Sequence, residues 1–393
     1  MSLSRRAFVR RLGMGGAGML SASFVVARGH EELVALGRGA GLESLLQTAT
    51  ALEPIKISSN ENARGPSPKA LQAMADHVTS NLGRGYPVPG EREFVETIAG
   101  LYGAQPENVL VSTGSGAELH AGVLAHVTPS RPLVTGQPSY GSPERTASEA
   151  GGTVKHVPVD ASLFLDLDGM VQAANGAGLV FLCNPNNPTS TAHTLADVEQ
   201  AVRAIKQQSP DTAVLVDEAY LDYATAPGVA SAVQLALELP GVFITRTFSK
   251  AYGMAGMRIG YAVGQPETLE KLSTAWGLGD VNTLSAVAGT AALKDTAHMD
   301  WERQENGRIR DFILTEFRQM GYEAPDSQTN FVFVNLRRPA AGFRDACRER
   351  GVLVGRDFPP MEQTHCRISL GTMEEMQKAM AVFKEVLGTS TSM

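Results

Sequence analysis

The chain has 393 residues, 43% of them hydrophobic and 19% charged, a globular composition long enough for two or three compact units. Its formal net charge is −7, and no lysine or arginine cluster lies beyond the first dozen residues, which argues against a nucleic-acid partner. Three widely spaced cysteines, Cys183, Cys347 and Cys366, form neither a disulfide framework nor a metal-ligand pattern, so no metal is expected.

The first residues differ from the rest. Ser4-Arg5-Arg6-Ala7-Phe8-Val9-Arg10-Arg11 is a basic head, followed by the weakly apolar stretch LGMGGAGMLSASFVVA, which ends at the small residue Ala27. That stretch is too short and too glycine-rich for a membrane span. The SRRxF order resembles the bacterial twin-arginine export signal, which implies the export machinery as a partner and a periplasmic or exported location. The alternative is a basic tail on a cytoplasmic enzyme. Residues 1–27 are read as the leader.

Beyond it, Leu42–Ala51 has a short helical pattern, and Ile55–Ser59 is a brief strand leading into Asn60-Glu61-Asn62. Ser67 caps and Pro68 opens a helix with Leu71, Met74, Ala75 and Val78 on one face. The run GRGYPVPG is a turn around an exposed aromatic, Tyr86, and a second helix covers Arg92–Tyr102. From Val109 the rhythm is strand, then helix. Strands are expected at Val109–Thr113, Leu133–Thr135, Thr153–Val157, Leu179–Cys183, Ala213–Val216 and Val242–Arg246. Leu119–His126 is a helix, and Thr194-Leu195-Ala196-Asp197 is a capping box for another. This alternation predicts an α/β fold, a mostly parallel sheet flanked by helices.

After Gly264 the pattern is largely helical, with helices at Asn282–Lys294 and His298–Met320, the second carrying Trp301, Ile309, Phe312, Ile313 and Phe317. The tail reads as strand Asn330–Asn335, helix Gly342–Glu349, strands Val352–Val354 and Cys366–Leu370, and a last helix capped by Thr372. It forms a smaller α+β domain. The expected divisions are 28–80 for an N-terminal segment packing with that domain, 81–295 for the large domain, and 296–393 for a linking helix and the small domain.

Three strand ends carry chemistry. Leu179–Cys183 runs into NPNNPT, Ala213–Val216 into Asp217-Glu218-Ala219-Tyr220, and Val242–Arg246 into Thr247-Phe248-Ser249-Lys250. Ligand sites of open α/β sheets lie beyond such carboxyl ends. A lysine in a glycine-rich turn, with hydroxyls and Arg258 nearby, suits a covalent hold on an aldehyde beside a phosphate, which points to pyridoxal 5'-phosphate. Lys250 would bind the aldehyde and act as the base at the substrate's α carbon. Asp217 would face the pyridine nitrogen and favour its protonated form. Asn187 and Tyr220 would hydrogen-bond the ring oxygen, and Tyr140 would stack on the ring. Ser115, Gly116 and Ala117 at a helix start would offer N–H groups to the phosphate, with Thr247, Ser249 and Arg258 completing the cup. Taken singly, each has a duller reading, Asp217 as a cap, Asn187 as a turn residue and Tyr140 as a core aromatic.

The stretches NENARGPSP (60–68), RGYPVPG (84–90), TGSGAE (113–118), NPNNPT (184–189), VDEAY (216–220), RTFSKAYGMAGMRIGY (246–261) and CRISLGT (366–372) together resemble the fold-type I, class I/II PLP-dependent aminotransferases. The histidinol-phosphate aminotransferase group is the nearest match, and the similarity spans Pro54 to Leu387. The resemblance implies a homodimer with shared active sites, Tyr86 reaching the neighbour's cofactor phosphate. It implies that Arg367 clamps the substrate α-carboxylate, and strand alternation agrees, since Cys366, Ile368 and Leu370 share the other face. Asn60 would line the substrate entry, and Asn330 would lie near the same carboxylate.

Three departures accompany the resemblance. Ser190 ends NPNNPTS where the family has glycine. Arg64 stands in NENARG where small residues are common. GVLVGRDFPP (351–360) resembles the strand whose arginine meets a substrate phosphate, but Gly355 precedes Arg356 and Asp357 follows it, which shifts the register. With the export signal, these features favour aminotransfer between an L-amino acid and a 2-oxo acid over histidinol phosphate itself. Elimination, decarboxylation, racemisation and oxidation remain alternatives on the same cofactor, and a non-catalytic PLP-binding protein is a third.

Overall fold

The computed structural model describes residues 54–388; the basic leader and the helix expected at 42–51 lie outside them. Strand β1 (Ile55–Ile57) is followed by α1 (Pro68–His77) and α2 (Glu91–Tyr102). Ser67 accepts from the Ala70 N–H and Pro68 fills the first turn, so α1 begins where its cap signals lie. The alternating region runs β2 (Val109–Ser112), α3 (Ser115–His126), β3 (Leu133–Gln137), α4 (Ser142–Glu149), β4 (Val154–Pro158), α5 (Leu167–Ala173), β5 (Leu179–Cys183) and α6 (Leu195–Gln208). It continues through β6 (Ala213–Asp217), α7 (Val233–Glu238), β7 (Val242–Thr247) and β8 (Gly260–Gly264). Then come α8 (Pro266–Trp276), α9 (Thr283–Leu293), the long α10 (Thr296–Gln319), β9 (Phe331–Asn335), α11 (Ala340–Glu349), β10 (Val352–Val354), β11 (His365–Ser369) and α12 (Met373–Gly388).

The main sheet has the order β2-β8-β7-β6-β5-β3-β4. Neighbours from β4 to β7 are parallel, whereas β8 is antiparallel to both β2 and β7. Both faces of the sheet are covered. Val214 and Val216 of β6 point into one core with Val180, Leu182 and Ile244, while Ala213 and Leu215 point into another with Phe181 and Phe243. Burial on both sides explains the unbroken apolar runs of these strands.

Strand β8 was not legible as a strand, because it follows directly on a glycine-rich turn and itself carries two glycines. One of them is required. A Cβ at Gly260 would lie 2.4 Å from the Ser115 amide nitrogen, so only glycine lets β8 pass the start of α3. Helix α3 also begins earlier than expected, since Ser115–Glu118 is its first turn rather than a loop before it.

A separate core gathers β9, β10, β11 and helices α10 to α12, with Ile309, Ile313, Phe317, Val332, Ile368 and Phe383 at its centre. Strand β1 joins it by pairing parallel to β10, and β11 pairs antiparallel to β9. On α10, Trp301 is 48% exposed. Glu302 and Asn306 turn inward instead, because Glu302 pairs with Arg64 and Asn306 donates to the Thr329 carbonyl at 3.1 Å. Among the described residues no helix is long and apolar enough to cross a membrane, and no His/Cys/Asp/Glu group could hold a metal ion.

Candidate active site

A cavity of about 800 Å³ opens beyond the carboxyl ends of β5, β6 and β7. Its wall holds Asn187, Asp217, Tyr220, Lys250, Arg258 and Arg367, which the chain order alone scatters over 180 residues. Tyr140, Ser115, Gly116, Thr247, Ser249, Asn60 and Arg356 also line it.

Burial sets the charges. The Asp217 carboxyl is pushed up to about 6, first by desolvation, and is drawn back by hydrogen bonds from Thr245 and the Ala219 N–H. Thr245 Oγ1 donates to Asp217 Oδ1 at 3.1 Å, which leaves Oδ2 facing the thiol of Cys183 at 4.0 Å. Lys250 is lowered to about 8, first by desolvation and next by the Arg367 charge. Its Nζ donates to the Ser59 carbonyl at 3.3 Å and lies 5.7 Å from the Tyr220 ring centre. A lysine tuned this way supplies neutral amine near neutral pH.

The Tyr220 hydroxyl accepts from Asn60 Nδ2 at 3.0 Å and from Asn187 Nδ2 at 3.3 Å. Two accepted bonds use its lone pairs, so its own proton is left to donate into the cavity. Burial raises the phenol's pKa and keeps that proton in place.

The floor of the cavity is an anion cradle. Helix α3 presents its N-terminus there, and the Ser115 and Gly116 residues line the wall. Arg258, in left-handed conformation at φ 53°, donates to the Ala255 carbonyl at 3.0 Å and meets Ser249 Oγ at 3.4 Å. Gly114 makes room for it, since a Cβ there would stand 2.5 Å from Arg258 Nη2. Glu118, buried in the same turn, is pushed up to about 8 by desolvation, so it adds no fixed negative charge beneath an incoming anion at neutral pH. A phosphate cradle, a lysine of lowered pKa, a carboxylate with one oxygen uncommitted to a strong donor, and a phenol aimed inward fit pyridoxal 5'-phosphate.

Three expected residues sit otherwise. Ala117 is off the wall, and its N–H is spent on the Gly114 carbonyl at 2.9 Å, the ordinary closure of a first turn. Asn330 lies behind the wall, donating to the Asn60 carbonyl at 3.1 Å and the Glu61 carbonyl at 3.5 Å, so it acts on the cavity through the segment that carries them. Tyr86 is 100% exposed and does not line the cavity of its own chain.

Arg367 projects from β11 as alternation requires, with Cys366, Ile368 and Leu370 in the core behind it. Its Nη1 donates to Asn187 Oδ1 at 2.8 Å and its Nη2 to the Ser58 carbonyl at 2.7 Å, while its buried Nε has no partner. Desolvation lowers it to about 10, with Tyr220 opposing that shift and Arg356 adding to it. Ser369, on the same face, donates to Asn60 Oδ1 at 2.6 Å and accepts from the Asn60 N–H at 2.9 Å. Asn60 thus holds a left-handed φ of 55° between two strands of contacts.

Several residues were missed. Thr245 faces Asp217 because β6 and β7 pair them in register, a fact that aligned strand ends would reveal. Arg344 and Arg348 line the outer cavity from one face of α11, opposite the buried Phe343 and Cys347. The spacing i, i+4 was the available signal. Asp357 does not turn to Arg356; its carboxylate accepts two bonds from Arg344, at 2.5 and 3.2 Å.

Comparison with known proteins gives the class. The sequence matches the aminotransferase class I and II family over residues 53–383. It is 36% identical over 339 residues to a histidinol-phosphate aminotransferase of Symbiobacterium thermophilum, covering 85% of this chain and 91% of that one. It is 34% identical to an aromatic amino acid aminotransferase of Rhodococcus jostii, covering 83% and 88%. The fold superimposes on histidinol-phosphate aminotransferase from Sinorhizobium meliloti in complex with pyridoxal-5'-phosphate, with a TM-score of 0.76, 26% identity, and 89% and 95% coverage.

The chain belongs to the class I and II aminotransferases of PLP fold type I. It is a pyridoxal 5'-phosphate-dependent aminotransferase, closely related to the histidinol-phosphate aminotransferases.

Proposed function

We propose that the protein transfers the amino group of histidinol phosphate to a 2-oxo acid. The observation that carries this reading is the charge of the cavity wall. In a chain of formal net charge −7, the wall gathers Arg258, Arg344, Arg348, Arg356, Arg367 and Lys250 against only Glu61, Asp217 and Asp357. With Arg258 on the cofactor phosphate, Arg367 on a carboxylate and Arg344 on Asp357, Arg356 is the wall arginine left for a further anion, and a phosphorylated substrate supplies one. The shifted register around Arg356 spoke for an unphosphorylated substrate in the sequence. Since Asp357 is occupied by Arg344, Arg356 has no carboxylate partner among the described residues, which supports the phosphate reading. The relative from Symbiobacterium thermophilum carries this activity in its name.

When bound, the cofactor supplies an aldehyde that links to amines and a ring that withdraws electrons from the substrate's α carbon. In this reading Lys250 Nζ would anchor the aldehyde and, once the substrate amine has displaced it, would be free to take the proton from the carbon that bears that amine. Asp217 would keep the ring nitrogen protonated, and the Tyr220 hydroxyl would donate to the ring oxygen, with Asn187 and Asn60 fixing its direction. Ser115, Gly116, Thr247, Ser249 and Arg258 would hold the phosphate, and Tyr140 would cover the ring. Arg367 binds the carboxylate of the 2-oxo acid; Arg356 meets the substrate's phosphate. The same steps in reverse move the amine to the acceptor.

Two further parts of the reading concern the whole molecule. A fully exposed Tyr86, near the exposed Leu71 and Val78 in sequence, supports a homodimer in which Tyr86 of one copy contacts the cofactor phosphate of the other. The basic head with Arg5 and Arg6 supports export by the twin-arginine route. Arg5→Lys with Arg6→Lys should hold the protein in the cytoplasm, and an unchanged periplasmic fraction would refute the leader.

The substrate is tested by comparing kcat/KM for histidinol phosphate with that for a panel of unphosphorylated amino acids, phenylalanine and tyrosine included. The reading expects histidinol phosphate to lead by at least tenfold and Arg356→Ala to erase most of that lead. An aromatic amino acid in first place would move the function to the other class of relative.

A further inference from the structure

Phe358 stands just after the shifted register, buried at 3% exposure beside β11. Its ring carries two guanidinium groups. The Arg356 Cζ lies over it at 4.5 Å from the ring centre, and the Arg367 Cζ at 4.7 Å. These are contact distances for a cation on an aromatic face. The ring is itself fixed, edge-on to Phe333 of β9 at 6.3 Å and 90°, and Phe333 stacks on His365.

The backbone around it is equally constrained. The Gly355 N–H donates to the Arg367 carbonyl at 3.0 Å, and a Cβ on Gly355 would stand 2.5 Å from that oxygen. Gly355 therefore lets the 355–358 segment lie flat against the strand that bears Arg367, which brings Arg356 and Phe358 to the same side. Asp357, between them, is drawn away by Arg344. The altered register is thus a built arrangement: glycine for the approach, an arginine on the ring, an acid turned outward, and a ring in contact with both cations.

We infer that Phe358 is a specificity-determining positioning residue, which fixes the separation between the guanidinium groups of Arg356 and Arg367 and so selects ligands by the distance between their two anionic ends. The inference rests on the substrate roles given above to Arg356 and Arg367. Arg367 is already held by Asn187 and the Ser58 carbonyl, whereas the exposed Arg356 on its flexible stem would drift away from that like charge; contact with the same ring offsets the repulsion and holds Arg356 in place. One cavity must accept two different substrates in turn: histidinol phosphate brings one anionic end, to Arg356, while a 2-oxo acid with a second carboxylate brings two, and the fixed pair of cations selects among such acceptors by length.

The test uses the PLP-loaded protein and a series of linear α,ω-dicarboxylates from three to seven carbons, titrated by the change in cofactor absorbance, with monocarboxylates of the same lengths as controls. Wild type should bind one dicarboxylate length at least tenfold tighter than its neighbours. Phe358→Tyr, which keeps the ring, should retain that preference. Phe358→Leu, which fills the volume without an aromatic face, should flatten it to under threefold while monocarboxylate affinity changes less than twofold. No length preference in wild type, or an undiminished preference in Phe358→Leu, would overturn the inference. Equal losses for mono- and dicarboxylates in Phe358→Leu would reduce the ring to a packing role and overturn it too. If the length preference stands but histidinol phosphate donates no amine, the substrate assignment fails and the spacer survives.

Discussion

Arg367 donates to Asn187 Oδ1 at 2.8 Å, and the amide nitrogen of the same Asn187 donates to the Tyr220 hydroxyl. The residue proposed to grip a substrate's anionic end is thereby wired, through one amide, to the residue proposed to face the cofactor ring. Arg367→Lys keeps the charge but loses the planar fork that binds a carboxylate with two parallel bonds. We expect kcat/KM for the 2-oxo acid to fall about 100-fold, roughly the 3 kcal/mol of a lost charge-assisted pair. Single-turnover kinetics of the 2-oxo acid step would check this, and a loss under threefold would contradict the clamp.

Asp217 should trade apoprotein stability for cofactor binding. Its folded-state pKa, about 6, is raised above the unfolded value near 3.9, so the folded state holds the extra proton between those values. Stability therefore falls as pH rises through that window, and above it the buried charge costs on the order of 3 kcal/mol. Asp217→Asn should stabilise the cofactor-free protein at pH 7.5 and have little effect at pH 4. In the same variant, the stabilisation gained on adding PLP should shrink. Thermal melts with and without PLP at the two pH values would show a crossing; parallel curves would be inconsistent with an unpaired carboxylate.

Lys250 sets the pH dependence of cofactor loading. Its pKa is lowered to about 8 from 10.5, and only the neutral amine attacks an aldehyde. The rate at which apoprotein takes up PLP, followed by absorbance, should rise about tenfold per pH unit up to about 8 and then level off. A rise continuing to pH 10 would mean that burial does not tune this amine.

The buried pair of Arg64 and Glu302 gives a stability test. Glu302 is fully buried and Arg64 grips both its oxygens. Arg64→Ala would leave an uncompensated charge, costing about 3–5 kcal/mol, whereas Arg64→Met with Glu302→Leu should cost much less. Urea unfolding of both variants would separate a structural pair from a surface one.

Ser190 offers a stabilising change. It occupies a left-handed φ of 66°, fully buried, with its hydroxyl lacking a partner. Ser190→Gly removes both the strained dihedral and the unpaired hydroxyl, and should gain about 1 kcal/mol after the extra entropy of glycine in the unfolded chain. A fall in melting temperature would show that the hydroxyl is satisfied in solution.

The legible part of this molecule was the part written in short range. Strands such as Leu179–Cys183 announced themselves by apolar runs between turns, and the residues at their ends were therefore found together. Lys250, Asp217, Asn187 and Tyr220 followed from that alone. What could not be read depends on packing between distant segments. Strand β8 was hidden because Gly260 serves the approach of Ser115 rather than any local preference. Asn330 looked like a substrate contact, but a second segment, carrying Asn60, stands in front of it. The pairing of Asp357 with Arg344 reverses the meaning of an acid beside Arg356, and no spacing in the sequence shows it. The inward turn of Glu302 could not be read for the same reason, since its partner Arg64 lies 238 residues away.

The central claim is that Lys250 carries an amino transfer. The most direct measurement mixes PLP-loaded protein with one equivalent of histidinol phosphate per site, without an acceptor, and identifies the cofactor released on denaturation. The account predicts one equivalent of the amine form of the cofactor, pyridoxamine phosphate, converted back to the aldehyde by a 2-oxo acid, and no conversion in Lys250→Ala. Retention of the aldehyde form with release of ammonia would contradict it and assign the site to elimination chemistry.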